Sequence, residues 1–172
     1  ESRDITIVGA GSVARAMVSA YRAAFPVARF TVWSRTAETA ERLAGELDGV
    51  TATRDLEAAV AGADIVCTAT MSREPVVKGA WLRPGQHLDL IGAFRPDTRE
   101  VDDAALGRAR LFVDSRETTL DHIGELKIPL AAGVIDRADV VAHFYDVPAG
   151  PFRRRSAEEI TVFKNGGGAH LD

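Results

Sequence analysis

The 172-residue chain is 46% hydrophobic and 27% charged, enough to bury one sizeable core, and its size points to one domain. A net charge of −4 leaves no basic footprint for nucleic acid as the main partner, and with no uninterrupted apolar run approaching ~20 residues no membrane span is expected. The single cysteine, Cys67, excludes an intrachain disulfide framework; within Ile65-Val66-Cys67 it reads as a buried small hydrophobe, and a reducing cytoplasm is the expected compartment, the chain starting directly at its first strand without a signal-peptide pattern.

The first predicted strand is the β-branched run Ile5 to Val8, and the first helix covers Ser12 to Phe25, where apolar residues recur at helical intervals. Between them, Gly9, Gly11 and Ala14 fill the slots of a G-x-G-x-x-G/A turn. There the first small residue permits a tight turn, the second lets the backbone approach a pyrophosphate, and the third allows close helix-on-strand packing. The phosphates of a dinucleotide would then meet the free N–H groups of Ser12, Val13 and Ala14 at a helix N-terminus.

Strand and helix patterns alternate from there. Strands are predicted at Arg29 to Trp33, Val50 to Thr53, Asp64 to Ala69, His87 to Ile91 and Leu111 to Val113. Helices are predicted at Ala37 to Leu47, at Leu56 to Ala61 with Asp55 as N-cap, and at Asp102 to Arg108. Asp64 to Ala69 is continuously apolar after its first residue, the pattern of a strand buried on both faces of a parallel sheet. Six strands with helical crossovers imply an α/β fold, a doubly wound, mainly parallel sheet with helices on both faces and a ligand crevice at the strand C-termini.

Three strand ends carry candidate ligand contacts. After the second strand the chain runs Ser34-Arg35-Thr36, where an NAD site usually places a carboxylate for the ribose 2′-hydroxyl. Ser34 and Thr36 can donate to a 2′-phosphate and Arg35 can pair with it, so NADP(H) is favoured and NAD(H) is the alternative; as a bland role, Arg35 can simply open the next helix as a solvated charge. Thr68, Ala69 and Thr70 after the fourth strand, with Ile91 and Gly92 after the fifth, are small enough to let a flat nicotinamide ring approach the backbone, although Gly92 also suits an ordinary turn.

These stretches carry a resemblance. VGAGSVA, VWSRT, GADIVCTATMSREPVVKGAWLRPGQHLDLIGAFRPDTREVDDAAL, ARLFVDSRE, the spaced GEL and PLAAGVI, and ITVFKNGGGAHLD run nearly end to end. The chain resembles the ornithine cyclodeaminase and mu-crystallin family, whose members share a Rossmann-like nucleotide fold and include cyclodeaminases, alanine dehydrogenases and reductases of cyclic ketimines. Carried over by position, Ser34, Arg35 and Thr36 bind the 2′-phosphate and Gly11, Ser12 and Val13, with Gly9 and Ala10 in the same turn, hold the diphosphate. Phe94 stands where true ornithine cyclodeaminases carry an aspartate, and a phenyl ring cannot accept a proton. The resemblance therefore implies a ketimine reductase acting on Δ1-pyrroline-2-carboxylate or Δ1-piperideine-2-carboxylate; a cyclodeaminase, an alanine dehydrogenase-like enzyme and a non-catalytic NADPH-dependent binding protein are the alternatives. It also implies a homodimeric parent whose substrate and dimerisation region is absent from these residues, with residues 1–172 as the nucleotide domain and 152–172 as the segment returning toward that region.

The remaining candidates are weaker. His122 is expected on an exposed helix face, and His87, His122, His143 and His170 share no metal-ligand spacing, so no metal is predicted. Arg153-Arg154-Arg155 reads as a solvated linker or subunit contact. Arg95 and Arg99 have either substrate contact or local salt bridges open to them. Lys164 and Asn165, before Gly166-Gly167-Gly168, either approach the crevice or end the domain as a loop. No catalytic acid is identifiable from the residues.

Overall fold

The run Ile5-Thr6-Ile7-Val8 lies in β1 (Asp4–Val8), an interior strand of the sheet in a computed structural model that describes residues 2–150 and 152–167. Expectations that fall on Pro151, Gly168 and residues 170–172 lie outside the described residues. The other strands are β2 (Arg29–Trp33), β3 (Val50–Thr53), β4 (Ile65–Thr68), β5 (His87–Leu90), β6 (Ala109–Val113), β7 (Val140–Ala142) and β8 (Ile160–Lys164). They form one eight-stranded sheet in the order β3-β2-β1-β4-β5-β8-β6-β7, and every pairing is parallel.

Helices cover both faces. α1 (Ser12–Ala24) and α2 (Ala37–Glu46) bury Ala14, Val18, Ala40 and Leu43 against Ile5, Ile7, Phe30, Val32, Ile65 and Cys67. On the opposite face, α3 (Leu56–Gly62), α4 (Asp103–Gly107), α5 (Arg116–His122) and α6 (Gly124–Ala131) pack on Val8, Val66, Leu88, Leu90, Val113 and Val162. All four residues of β4 are buried, as its continuous apolar run predicts. Each such large aliphatic side chain contributes about 1.5–3 kcal/mol. Asp55 and Asp102 accept the backbone N–H of Ala58 and Ala105 at 2.9 and 3.0 Å, which starts α3 and α4 at these residues.

The doubly wound architecture agrees with the sequence, but two strands are additional. β7 is only three residues long, too short for a periodicity signal. β8 is inserted between β5 and β6, with His87 opposite Thr161 and Leu90 opposite Lys164. Within the stretch expected as a return segment, Ile160–Lys164 form an interior strand of the sheet. α5 holds His122 where a helix face is expected, and α6 is additional; Pro129 looks like a helix breaker but lies inside α6, near its end.

Candidate functional site

The strand order reverses direction between β1 and β4, and in such sheets the crevice opens beyond the strand C-termini at that point. A cleft of about 380 Å³ lies there, walled on one side by Trp33, Ser34, Arg35 and Thr36 and on the other by Ala69 to Ser72 and Val76, with Gly9 between.

The turn after β1 is built as its glycines require. Gly9 adopts φ +125°, and a Cβ there would lie 2.6 Å from the Ala69 carbonyl oxygen. The Gly9 N–H donates to the Trp33 carbonyl at 2.8 Å and the Ala69 N–H to the Val8 carbonyl at 2.8 Å, so this turn is stitched to the strands on both sides. Gly11 differs: a Cβ built on it meets nothing within 4 Å. Among the described residues no packing demands a glycine at that position, whereas close approach of a ligand to the backbone would. Ala14 is fully buried between α1 and the sheet.

Gly11 caps α1 with extended backbone and no side-chain cap bond, and the first turn holds no acidic residue. The first N–H groups of this 13-residue helix therefore have neither an intrahelical partner nor a competing carboxylate. Ser12 and Val13 are exposed at this end, beside the half-buried Ala10. An anionic group at the mouth of the cleft finds there the donors and the positive helix end that it needs.

At the β2 end, Arg35 and Thr36 are exposed and Ser34 is half-buried. Thr39 Oγ1 donates its one hydrogen to the Thr36 carbonyl at 2.6 Å and lies 2.9 Å from Ser34 Oγ, from which it accepts. Thr36 caps α2 without a side-chain cap bond, so its hydroxyl is not spent on the helix. Trp33, Ser72 and Val76 complete the cleft beside Met71, and none of these three carries a signal of that role in the sequence. Trp33 reads as the last residue of a strand, which hides its place at the cleft; Met71 follows Thr70 in the loop after β4 and is 69% exposed.

The remaining candidates are dispersed. Thr68 is fully buried on the sheet face of Val66 and does not reach the cleft wall; its hydroxyl has no hydrogen-bond partner among the described residues. Ile91 and Gly92 stand behind the wall, their N–H groups donating to the Thr68 carbonyl at 3.0 and 3.2 Å. Gly92 is demanded by packing, because a Cβ there would lie 2.0 Å from the Thr70 carbonyl oxygen. Arg99 is buried and pairs with Asp103 at 2.7 Å, which is the structural role; Arg95 is exposed, its guanidinium 5.4 Å from the Phe94 ring centre. Lys164 is fully buried and donates to the Leu90 and Asn165 carbonyls at 2.9 and 2.7 Å; burial lowers its pKa from the ordinary lysine value. His122 is exposed at the end of α5. Arg153, Arg154 and Arg155 are exposed, and Arg155 pairs with Glu159 at 2.7 Å.

A larger hollow, about 530 Å³, lies on one sheet face beside Phe25, His87, Phe112, Phe144, Phe152 and Phe163. It is apolar and lies away from the uncapped end of α1, so the smaller cleft is the one suited to phosphate. Among the described residues no cluster of His, Cys, Asp or Glu is arranged to hold a metal ion, and no helix is long and apolar enough to cross a membrane.

An all-parallel sheet, a glycine turn at its switch point and helices on both faces together define a Rossmann-like fold. The chain belongs to the ornithine cyclodeaminase/mu-crystallin family, whose model matches residues 1–172. It is 57% identical over 178 residues to the Δ1-pyrroline-2-carboxylate reductase of Paracoccus denitrificans, covering 100% of this chain and 56% of that protein. It is 36% identical over 169 residues to the ketimine reductase mu-crystallin of Rattus norvegicus, covering 98% of this chain and 51% of that protein. Among solved structures, the Δ1-pyrroline-2-carboxylate reductase of Thermococcus litoralis in complex with NADH and L-proline superposes with a TM-score of 0.89 at 32% identity, covering 96% of this chain and 53% of that one. The chain thus spans about half the length of the relatives it matches.

Proposed function

We propose that this chain is the NADP(H)-binding domain of an oxidoreductase that reduces a small cyclic ketimine, Δ1-pyrroline-2-carboxylate or Δ1-piperideine-2-carboxylate. The observation that carries the reading is the cleft at the β1–β4 switch point, with the uncapped α1 at its mouth and Ser34, Arg35 and Thr36 at the end of β2. The names of the relatives supply the substrate class.

The residues present fit a dinucleotide. Gly11, Ser12 and Val13 offer backbone N–H groups to the diphosphate, with Gly9 and Ala10 shaping the turn beneath. Ser34, Arg35 and Thr36 offer two hydroxyls and a guanidinium to a 2′-phosphate, and no carboxylate stands among them to repel it. That chemistry supports NADP(H) over NAD(H), although the relative from Thermococcus litoralis was solved with NADH. Ala69 and Thr70 line the far end of the cleft, where the nicotinamide would lie.

A reduced dinucleotide held by Gly11 to Val13 and Ser34 to Thr36 would supply the hydride for C2 of a protonated imine. The protein's part is to orient the ring and exclude water around it. Phe94 supports reduction over cyclodeamination: 50% exposed on the loop after β5, it offers no group that can accept a proton from a side-chain amine. Capture of the substrate carboxylate, and the homodimer that the family resemblance implies, are assigned to the remainder of a longer protein.

Titration of this chain with NADPH and NADH tests the cofactor, and assay of a full-length protein with both cyclic imines tests the reaction. Tighter binding of NADPH, with imine-dependent consumption of it by the longer protein and little or none by these 172 residues alone, is expected. No binding of either cofactor, or no turnover of either imine by the full-length protein, would overturn the assignment.

A further inference from the structure

The far wall of the cleft is held from behind by a short segment that does not itself line it. Arg99 donates its N–H to the Ser72 carbonyl at 2.8 Å, while the Val76 and Val77 N–H groups donate to the Glu100 carbonyl at 2.9 and 3.0 Å. The Glu100 side chain, with no exposed surface, does the rest. Its Oε1 accepts the N–H and the hydroxyl of Thr70 at 2.7 and 2.8 Å, and its Oε2 accepts the N–H groups of Gly92 and Ala93 at 2.8 and 3.1 Å. One carboxylate therefore bridges the loop after β4 to the loop after β5.

Burying a carboxylate is costly unless donors surround it. Here four donors do, and a neutral amide could not replace the group. Glutamine would turn its NH2 toward Thr70 or toward Gly92 and Ala93, leaving at least one backbone N–H facing a donor. Glu100 is itself held by Glu125, which accepts the Glu100 and Val101 N–H groups at 2.6 and 3.1 Å. Thr70, Ser72 and Val76 form the cleft wall opposite Ser34 to Thr36, so the arrangement acts on one end of the cleft only.

We infer that Glu100 is a positioning residue for the nicotinamide half of the cofactor site, fixing the wall from Thr70 to Val76 by joining the loops after β4 and β5 through one buried carboxylate. The inference rests on the dinucleotide reading proposed above. It separates the two halves of the ligand: loss of Glu100 loosens the wall at Thr70 while leaving α1 and the Ser34 to Thr36 end in place.

The test compares NADPH with 2′-phospho-ADP-ribose, which keeps the phosphates and lacks the nicotinamide, on the wild-type chain and on E100Q, T70V and T70S. In E100Q, NADPH affinity should fall about five- to tenfold and the emission gain of bound NADPH should disappear, while 2′-phospho-ADP-ribose affinity changes less than about twofold. T70V, which removes one of the four donors, should show the same split to a smaller degree, and T70S, which keeps the hydroxyl, should restore most of what T70V loses. If E100Q loses both ligands through unfolding, the T70V and T70S pair decides. Equal effects on the two ligands in folded variants, or none, overturn the inference while leaving the dinucleotide reading intact. A wild-type chain that binds neither ligand overturns both.

Discussion

Tyr21 on α1 donates its phenolic hydrogen to Asp89 Oδ2 on β5 at 2.6 Å, fastening the helix that follows the glycine turn to a strand on the far side of the switch point. Burial raises the Asp89 pKa, and burial followed by the Asp89 charge raises that of Tyr21. Y21F leaves a buried carboxylate without this donor and should cost about 1–3 kcal/mol in urea unfolding at neutral pH. D89N, which keeps an acceptor and removes a buried charge, should cost less; a Y21F variant as stable as wild type would show that the bond contributes nothing.

Arg35 should discriminate between cofactors. Its guanidinium is exposed at the end of β2, between two hydroxyl side chains. R35A should weaken NADPH binding by about 1.5–3 kcal/mol, the range of a charge-assisted contact, and leave NADH binding unchanged. Calorimetric titration checks both, and an equal loss for the two cofactors would remove Arg35 from the 2′-phosphate.

Gly9 and Gly11 should respond differently to alanine. A Cβ at Gly9 meets the Ala69 carbonyl at 2.6 Å in a backbone with φ +125°, so G9A should destabilise the chain by about 1–3 kcal/mol. At Gly11 the space is open within 4 Å, so G11A should leave the melting temperature near wild type and weaken dinucleotide binding. Unchanged binding by G11A would remove the diphosphate from this turn.

Two buried groups should pull stability in opposite directions with pH. Burial, then repulsion from Glu100, raises the Glu125 pKa from 4.5 to about 7. Its contribution is complete below pH 4.5 and declines as pH rises through 7, because the folded state binds the extra proton in that window. Burial, then the Arg154 charge, lowers the His87 pKa from 6.5 to about 4, so its contribution is present above pH 6.5 and is lost as pH falls through 4. Each slope reaches at most about 1.4 kcal/mol per pH unit. Relative to wild type, H87Q should gain stability as pH falls from 6.5 toward 4 and E125Q should gain as pH rises from 4.5 toward 7. Unfolding free energies across that range check both; parallel profiles for the variants and wild type would refute the two shifts.

Much of the domain is local in origin and was therefore legible. β-branched runs, helical spacing, the Asp55 cap and the glycine turn each act within a few residues, and they placed β1 to β6 and α1 to α4 to within two residues of their observed ends. The two sides of the cleft were legible for the same reason, since a parallel sheet puts the residues after its strands on one edge. β8 was not, because nothing around Ile160 to Lys164 encodes insertion between strands that end some seventy and fifty residues earlier. The function of Glu100 was equally hidden. In GAFRPDTRE it stands among charges that look like surface salt-bridge partners, and only the packed sheet removes it from water and turns its two oxygens toward Thr70, Gly92 and Ala93. The sequence by itself determined the order of local elements, the glycine turn and the chemical types at the cleft mouth, because these follow from near-neighbour sterics and hydrogen bonding. Only the tertiary structure decided which strand lies between β5 and β6 and which carboxylate closes the cleft from behind, because burial and long-range hydrogen bonding exist only once distant segments meet.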